Sequence, residues 1–263
     1  MTDNTAGRVL LQRDGRLARV TLSHPGRLNA ITVGMWRELR DVFTRIAADD
    51  DLRCVIVRGE GGNFAAGADI REFPAERADA AGVQRYHREV LAPALQAVAQ
   101  CPHPVVAQIE GVCVGGGLEI ACQCDLRIAG ESARFGVPIN RLGFPMAPDE
   151  MRGLLALAGR AATLAILLEG RVFGAAEARD LGLLTRIVAD ADVATQALRS
   201  AERIGQGAPL AARINKRLSA RLAQGGALTE AEYQDYFSYA DSRDHKEGVR
   251  AFLAGVDPHF SGD

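Results

Sequence analysis

The chain has 263 residues, of which 48% are hydrophobic and 24% are charged, so it can bury a substantial core. Its formal net charge is −2 at pH 7 and it has no basic run, which argues against nucleic acid or an anionic membrane as its main partner. The five cysteines include no Cys-x-x-Cys pair, a pattern typical of reduced thiols.

The first seven residues are polar and include Asp3, and they lack the charged start and apolar centre of a secretory signal peptide. We also expect no apolar stretch of the ~18 to 20 residues that a membrane span needs. Together with the reduced thiols, these features predict a cytoplasmic protein.

The first elements predicted along the chain are a hairpin and a strand–helix–strand unit. Residues 9–12 and 17–22 flank Asp14-Gly15, a strong hairpin signal. Thr32 is expected to cap a helix, whose apolar residues recur at helical spacing. These residues are Met35, Trp36, Leu39, Val42, Phe43 and Ile46. The continuous apolar run 54–57 is typical of a strand buried on both faces.

A second such unit follows, and the chain then becomes helical. Predicted helices cover residues 76–99, 118–124, 151–158 and 161–168, and predicted strands cover residues 105–109, 126–129 and 184–188. From residue 191 onward the pattern is almost wholly helical, with glycine breaks near 205–207 and 224–226. The sequence therefore predicts an α/β core in residues 1–200 and a helical C-terminal region in residues 201–263.

The stretch from Gly111 to Glu119 has three consecutive glycines, Gly115 to Gly117, between an apolar strand and a helix. Glycine lets a ligand approach the backbone closely, and the start of a helix adds a partial positive charge at the same place. Backbone N–H groups beside a carboxylate are what thioester or enolate chemistry requires. This stretch is the first candidate for an active site.

Other common sites are disfavoured. A dinucleotide-binding loop is excluded by spacing, because residues 59–64 end in phenylalanine where the fingerprint requires glycine. The five histidines are scattered and show no metal-ligand spacing, so we interpret each as solvated or as part of the core. They are His24, His87, His103, His245 and His259.

Five segments, in order along nearly the whole chain, resemble landmarks of the crotonase superfamily, the enoyl-CoA hydratases and isomerases. They are residues 25–30 (Pro-Gly-Arg-Leu-Asn-Ala), 64–70 (Phe-Ala-Ala-Gly-Ala-Asp-Ile), 109–126 around the glycine loop, 135–138 (Phe-Gly-Val-Pro) and 243–252. The resemblance implies a crotonase-like spiral of ββα units. It also implies a helical C-terminal trimerisation region, with trimers that often pair as hexamers.

The resemblance further implies an acyl-CoA thioester as substrate and no other cofactor or metal. The family's two oxyanion-hole N–H groups fall on Ala68 and Gly116, where they would stabilise a thioester enolate. Glu119 matches the first catalytic glutamate of the hydratases, which helps to hold and activate water. A first-turn glutamate also favours the helix dipole, which is the structural alternative for Glu119.

The position of the family's second catalytic glutamate, the residue after Phe-Gly-x-Pro, is Ile139 in this chain. Isoleucine can neither hold water nor transfer a proton, so hydration or isomerisation by two carboxylates is in question. Asp149 and Glu150 are nearby candidates, but a capping or dipole role at a helix start is favoured for both. Asn140 could position a water but cannot act as the acid.

Further residues are expected along the CoA moiety and the acyl chain. They are Arg27, Leu28, Ala66, Asp69, Ile70, Arg71, Gly115, Ile139, Lys246 and Phe252. The cations among them are equally consistent with solvated surface charge, and the apolar residues are also consistent with core packing. Asp69 is also consistent with a structural role. Lys246 and Phe252 lie in the region that in the family often reaches a neighbouring subunit's ligand.

Two hypotheses therefore remain, and they differ in class. The first is a hydratase-like or isomerase-like acyl-CoA enzyme that uses Glu119 as its acid or base. The second is a non-catalytic acyl-CoA-binding homologue, which Ile139 favours. A crotonase-type decarboxylase or thioester hydrolase is a further enzymatic alternative.

Overall fold

The computed structural model describes residues 6–263, so the predicted lack of a signal peptide concerns residues that lie largely outside the described part. Its strands are β1 (Arg8–Asp14), β2 (Leu17–Ser23), β3 (Cys54–Gly59), β4 (Val105–Ile109), β5 (Val112–Val114), β6 (Leu126–Gly130), β7 (Arg134–Gly136), β8 (Phe173–Gly174) and β9 (Arg186–Val188). Its helices are α1 (Val33–Ala47), α2 (Phe73–Glu76), α3 (Ala80–Arg85), α4 (Ala92–Ala99), α5 (Gly116–Gln123), α6 (Pro148–Glu169), α7 (Ala175–Asp180), α8 (Val193–Gln206), α9 (Pro209–Ala223), α10 (Glu230–Phe237) and α11 (Arg243–Ala254).

The strands form two sheets, which confirms the predicted α/β class. The larger sheet has the order β1-β2-β3-β4-β6-β9, with β1 antiparallel and the other neighbours parallel. The smaller sheet has the order β5-β7-β8. Because the chain moves from β4 in one sheet to β5 in the other and back to β6, the glycine loop lies where the two sheets meet.

The first unit folds as its sequence predicts. Thr32 caps α1, its Oγ1 accepting a hydrogen bond from the Met35 amide at 3.1 Å, and the six apolar residues predicted for this helix are all buried. The hairpin also forms, but Asp14 pairs with Leu17. The two-residue turn is therefore Gly15-Arg16, one residue later than the Asp-Gly signal suggests, with Gly15 at φ 56°.

The predicted secondary structure needs correction in two respects. Strands β5, β7 and β8 and the short helices α2 and α7 were not predicted, because runs of two to six residues are too short to show a clear period. The helix predicted over residues 76–99 is instead α3, a π-helical segment (Tyr86–Leu91) and α4 in succession. π-Helical turns are frequent at functional sites.

Helix α6 corrects the prediction that no stretch reaches membrane-spanning length. Its 22 residues contain a window with a mean hydropathy of 1.5, so it passes a test of length and composition alone. Gly159, at φ 69° and ψ 174°, nevertheless kinks it into two helical parts, which match the two predicted helices. Each part is shorter than the ~20 residues of a membrane span.

The predicted boundary between residues 200 and 201 stays a prediction. Residue 200 lies inside α8, whose buried face packs against β3, β4 and β6 of the larger sheet. Beyond α8, helices α9 to α11 carry much exposed apolar surface. Phe252 and Leu253 at the end of α11 are 85% and 80% exposed in the single chain.

Candidate active site

The two glycine-rich loops that follow β3 and β5 lie in direct contact. A β-carbon added to Gly67 would lie 3.3 Å from the Gly116 backbone nitrogen, and one added to Gly116 would lie 3.5 Å from the Ala68 backbone nitrogen. Gly67 and Gly115 have φ values of 92° and 50°, which side-chain-bearing residues rarely adopt. Glycine at these positions therefore lets the amides of Ala68 and Gly116 approach each other.

Backbone hydrogen bonds fix the two loops to each other. The Ala65 amide donates to the Val112 carbonyl at 2.9 Å, and the Val114 amide donates to the Ala65 carbonyl at 3.1 Å. In contrast, the amides of Ala68 and Gly116 donate to no acceptor within residues 6–263. Two rigidly held N–H groups are thus left free for a ligand beside the start of α5, where the helix dipole favours negative charge.

A cleft opens in front of these amides. Seven of the residues that line the cleft were predicted site residues. Several other lining residues were not. The predicted ones are Ala66, Ala68, Ile70, Gly115, Gly116, Glu119 and Ile139. The others include Phe73, Arg77, His87, Leu142, Phe144 and Glu150.

Glu119 lies in the first turn of α5 and is only 5% exposed. Its Oε2 is buried and has no hydrogen-bond partner among the described residues. Burial raises the pKa of the Glu119 carboxyl well above its usual value; the charge of Glu150 adds to the rise and that of Arg77 opposes it. A carboxyl group with a raised pKa in a cleft suits proton transfer near neutral pH.

Glu150 does not have the surface role that its sequence context favours. It lies in the first turn of α6, but it is 4% exposed, lines the cleft and forms a hydrogen bond with Nδ1 of His87. Glu150 has the first-turn position that suits the helix dipole, but it is also a buried cleft residue, which its sequence context did not indicate. The interpretation of His87 as a solvated or core histidine is wrong, because His87 lies at the cleft in the π-helical segment.

The neighbouring acid, Asp149, behaves as its sequence context predicts. Its side chain is 41% exposed and forms an i,i+3 ion pair with Arg152 at 3.1 Å. Ile139 lies in a short 3₁₀ turn (Pro138–Leu142), lines the cleft and packs against the core. The Asn140 amide donates to the Leu168 carbonyl at 2.9 Å, and Asn140 does not line the cleft.

Arg77 is a cleft residue that sequence reasoning missed. Its guanidinium lies over the rings of Phe73, Tyr86 and Phe144, with 3.8, 4.1 and 5.1 Å to their centroids. It forms no ion pair within residues 6–263, and its Nε is buried. The aromatic rings therefore hold a cation in the neighbourhood of Glu119.

The residues expected to bind CoA fall into two groups. Leu28 and Arg27 lie in an exposed loop beside the cleft, where the Leu28 carbonyl accepts from the Ala66 amide at 2.9 Å. Arg71 is half-exposed and bonds bidentately to the buried Asp69, which lowers the pKa of that carboxyl. Asp69 also accepts from the Arg71 amide and so has a structural role here.

Lys246 and Phe252 do not join this group within one chain. Both lie on α11, and neither lines the cleft. The Lys246 ammonium donates to the Asp241 carbonyl at 2.9 Å. Phe252 instead borders a separate apolar hollow between α9 and α11.

A metal site is not supported by the described residues. Among residues 6–263, no group of three or more histidine, cysteine, aspartate or glutamate side chains could hold a metal ion. Two free backbone amides facing a cleft beside a buried carboxyl define a different class of site. It suits reactions in which a carbonyl oxygen gains negative charge while a proton moves nearby.

Comparisons with known proteins agree with this class. The family model described as "Enoyl-CoA hydratase/isomerase" matches residues 12–263. A "Probable enoyl-CoA hydratase" of Rhizobium meliloti is 34% identical over 251 residues, covering 94% of this chain and 95% of that protein. A similarly named protein of Mycobacterium bovis is 31% identical, covering 96% and 97%.

Solved structures show the same likeness. The crystal structure of an "enoyl-CoA hydratase/ carnithine racemase" from Magnetospirillum magneticum superposes with a TM-score of 0.95 at 44% identity, covering 97% of this chain and 96% of that one. The chain belongs to the enoyl-CoA hydratase/isomerase family and has the crotonase fold. This confirms the resemblance and the fold that the sequence motifs indicated.

Proposed function

We propose that the chain is an acyl-CoA enzyme of the hydratase or isomerase type. The observation that carries this proposal is the pair of free amides at Ala68 and Gly116 beside the buried Glu119 carboxyl. A thioester carbonyl oxygen placed between the two amides would accept both hydrogen bonds. The amides would then stabilise the enolate as its charge develops, an effect worth about 2.7 to 4 kcal/mol for each donor.

Glu119 is the acid or base in this proposal. Its unpartnered oxygen faces no competing protein donor among the described residues, so it is free to contact substrate or water. Because burial favours its neutral form, it retains a proton at pH values where an exposed glutamate is ionised. CoA enters as part of the substrate, and no further cofactor takes part in the proposal.

The decisive experiment compares native protein with Glu119→Gln, using crotonyl-CoA and longer enoyl-CoA thioesters as substrates. Loss of the proton-transfer group is expected to lower kcat by about 10²- to 10⁴-fold while acyl-CoA binding is retained. The non-catalytic alternative, which Ile139 favours, predicts tight binding without turnover by the native protein on every thioester tried. Absence of acyl-CoA binding would contradict both.

We also propose that the chain self-associates, as a trimer or hexamer, through its C-terminal helices. Phe252, Leu253 and Val249 on α11 are exposed apolar residues, as is Leu168 at the end of α6. Apolar surface of this kind is commonly covered in an interface. Light scattering of Phe252→Ser/Leu253→Ser is expected to give a lower mass than that of native protein. A native mass of one chain would refute the proposal.

A further inference from the structure

Glu150 and His87 form a buried carboxyl–imidazole pair in the same cleft as Glu119. The two carboxyl groups come from different helices, because Glu119 lies in the first turn of α5 and Glu150 in the first turn of α6, and these helices pack against each other. His87 reaches Glu150 from the π-helical segment, across 63 residues of sequence. Burying a carboxyl group is costly unless it is hydrogen-bonded, and His87 supplies that bond.

The proposed reaction needs two proton sites. Adding water across a double bond requires one group to take a proton from water and another to deliver a proton to carbon. Glu119 supplies one site, and the position resembling the family's second carboxylate is Ile139, which supplies none. Glu150 faces the same cleft, and its charge acts on Glu119.

We infer that Glu150 is the second proton-transfer group of this cleft, with His87 as its positioning residue. It supplies the carboxylate that position 139 lacks, but with the two roles exchanged: Glu150 takes the proton from water, and Glu119, which matches the family's water-activating glutamate, delivers the proton to carbon. This inference rests on the proposed function. It also favours hydratase-type or isomerase-type chemistry over passive binding, since binding alone gives no reason to bury a second carboxyl group beside the first.

In hydration, the water oxygen bonds to C3 of the enoyl thioester and its proton passes to the Glu150 carboxylate. The double-bond electrons move onto the thioester as an enolate, which the Ala68 and Gly116 amides hold. The enolate then takes a proton at C2 from Glu119, which becomes ionised. One proton arrives at Glu150 and one leaves Glu119, so the cleft keeps its charge, and exchange with solvent restores the starting state.

The roles follow from the surroundings of each carboxyl group. Glu119 has a buried oxygen without a partner, which favours its neutral, proton-donating form. Glu150 is instead held in the cleft by its hydrogen bond with His87, which places its carboxyl group to receive the proton of the attacking water. The other ionisable groups facing the pair are Arg77, held among aromatic rings, and Tyr86, whose ring contacts His87 edge-on.

The first test uses Glu150→Gln with Asp149→Asn as its matched control, since Asp149 is the adjacent acid on the same helical turn but is solvent-exposed. Two reactions are measured: hydration of crotonyl-CoA, and exchange of the C2 hydrogens of butyryl-CoA with D₂O. Glu150→Gln is expected to lose hydration by about 10²- to 10⁴-fold but to keep C2 exchange, in which the ionised fraction of Glu119 takes the C2 proton and returns a deuteron while the amides hold the enolate. Asp149→Asn is expected to keep both.

Damage to the fold would give a different pattern. If Glu150→Gln loses hydration and exchange together, or hydrates crotonyl-CoA as fast as Asp149→Asn does, the assignment of Glu150 is wrong. If native protein hydrates crotonyl-CoA and Glu119→Gln does not, the proposed function stands even when this inference fails. If native protein binds crotonyl-CoA without turnover, both fail.

The second test concerns His87 and does not depend on the folding of the Glu150 variant. His87→Leu removes the hydrogen bond to Glu150, whereas His87→Gln keeps an N–H donor. Without this bond the Glu150 carboxyl group is no longer held in place, so kcat for hydration of crotonyl-CoA is expected to fall by about tenfold or more in His87→Leu while KM changes little. His87→Gln is expected to restore kcat part of the way. An unchanged kcat in His87→Leu, or no rescue by His87→Gln, would refute the positioning role.

Discussion

Helices α5 and α6 begin on the same cleft, and each carries a glutamate in its first turn, yet the two starts are built differently. Helix α5 begins at a glycine N-cap, Gly115 at φ 50°, and its Glu119 has a buried oxygen without a partner. Helix α6 begins with Pro148 in its first turn, and its Glu150 is bonded to His87. The same sequence feature therefore gives a free carboxyl group in one helix and a partnered one in the other.

The difference shows what decides whether a buried carboxyl group has a hydrogen-bond partner. A first-turn position offers the same helix-dipole stabilisation to both residues. The contrast comes from the elements packed against each helix: the glycine loops leave Glu119 without a donor, whereas the π-helical segment brings His87 to Glu150. Long-range packing thus gives the two carboxyl groups different hydrogen-bond surroundings within one cleft.

The largest expected effect comes from adding a β-carbon at the glycine-rich start of α5. A glycine of α6 provides the comparison. A β-carbon on Gly117 would overlap the Ala65 carbonyl oxygen, which is backbone and cannot move freely. On Gly153 of α6 it would meet mainly the amide end of Gln123, a flexible side chain. Gly117→Ala is expected to lower crotonyl-CoA turnover by about 10²- to 10³-fold, because it displaces the neighbouring Gly116 amide, one of the two proposed oxyanion donors.

Gly153→Ala is the control for this variant and is expected to keep turnover, since only a side-chain end must shift. Thermal denaturation should also separate the two, with Gly117→Ala destabilised by about 1–3 kcal/mol through overpacking. Equal losses of turnover in both variants would contradict the special role of the α5 start.

The second prediction asks whether a carboxyl group at position 139 can take over from Glu150. Ile139 lines the cleft, so Ile139→Glu adds a carboxyl group to the same cavity. In a Glu150→Gln background, this substitution is expected to restore crotonyl-CoA hydration by about tenfold or more, since it returns a group capable of general acid–base catalysis. In the native background it is expected to give no gain, because two proton sites are already present. A gain in the native background alone would refute the role given to Glu150.

Much of the α5 half of the site could be predicted from the sequence. The glycine run, the first-turn position of Glu119 and the loop around Ala68 are local patterns, and local patterns fix local backbone geometry. The same applies to the capped helix α1, whose buried face follows from helical periodicity alone. The sequence also shows isoleucine at position 139, directly after the Phe-Gly-x-Pro motif, where the resemblance implies a second carboxylate.

The α6 half could not be predicted, and the reason is distance along the chain. A helical pattern identifies which residues share a face but not what that face packs against. His87 and Glu150 are 63 residues apart, and Arg77 joins the cleft through rings that include Phe144, far along the sequence. No local signal distinguished the buried Glu150 from the exposed Asp149 beside it, since both are acids at a helix start.

A third, smaller effect concerns stability and pH. The folded state raises the pKa of Glu119 above its ordinary value of 4.5, so between these two values the unfolded chain binds fewer protons than the folded one. The free energy of unfolding therefore falls as pH rises from about 4.5 towards the folded pKa. Glu119→Gln removes this loss of stability at higher pH. The variant is therefore expected to melt at a higher temperature than native protein at pH 7, but not at pH 4.

Thermal melts at the two pH values measure this difference in stability. Each 1 kcal/mol in the free energy of unfolding corresponds to a shift in Tm of about 2–4 °C in a chain of this size. Asp149→Asn is the control, because its exposed carboxyl should give no comparable gain between pH 4 and pH 7. A Glu119→Gln variant no more stable than native protein at pH 7 would mean that Glu119 is not buried without a partner.

The smallest expected effect comes from the one first-turn acid of α6 that remains in solvent. Asp149 and Arg152 form an exposed i,i+3 ion pair, with side chains 41% and 79% accessible. Such pairs contribute about 0.2–1 kcal/mol, because water screens the charges and the side chains lose freedom on pairing. Arg152→Ala is therefore expected to change the free energy of unfolding in denaturant by less than about 1 kcal/mol and to leave crotonyl-CoA turnover unchanged. A large loss of turnover in Arg152→Ala would mean that the outer face of α6 also takes part in catalysis. That result would contradict the distinction between an exposed Asp149 and a Glu150 that acts in the cleft.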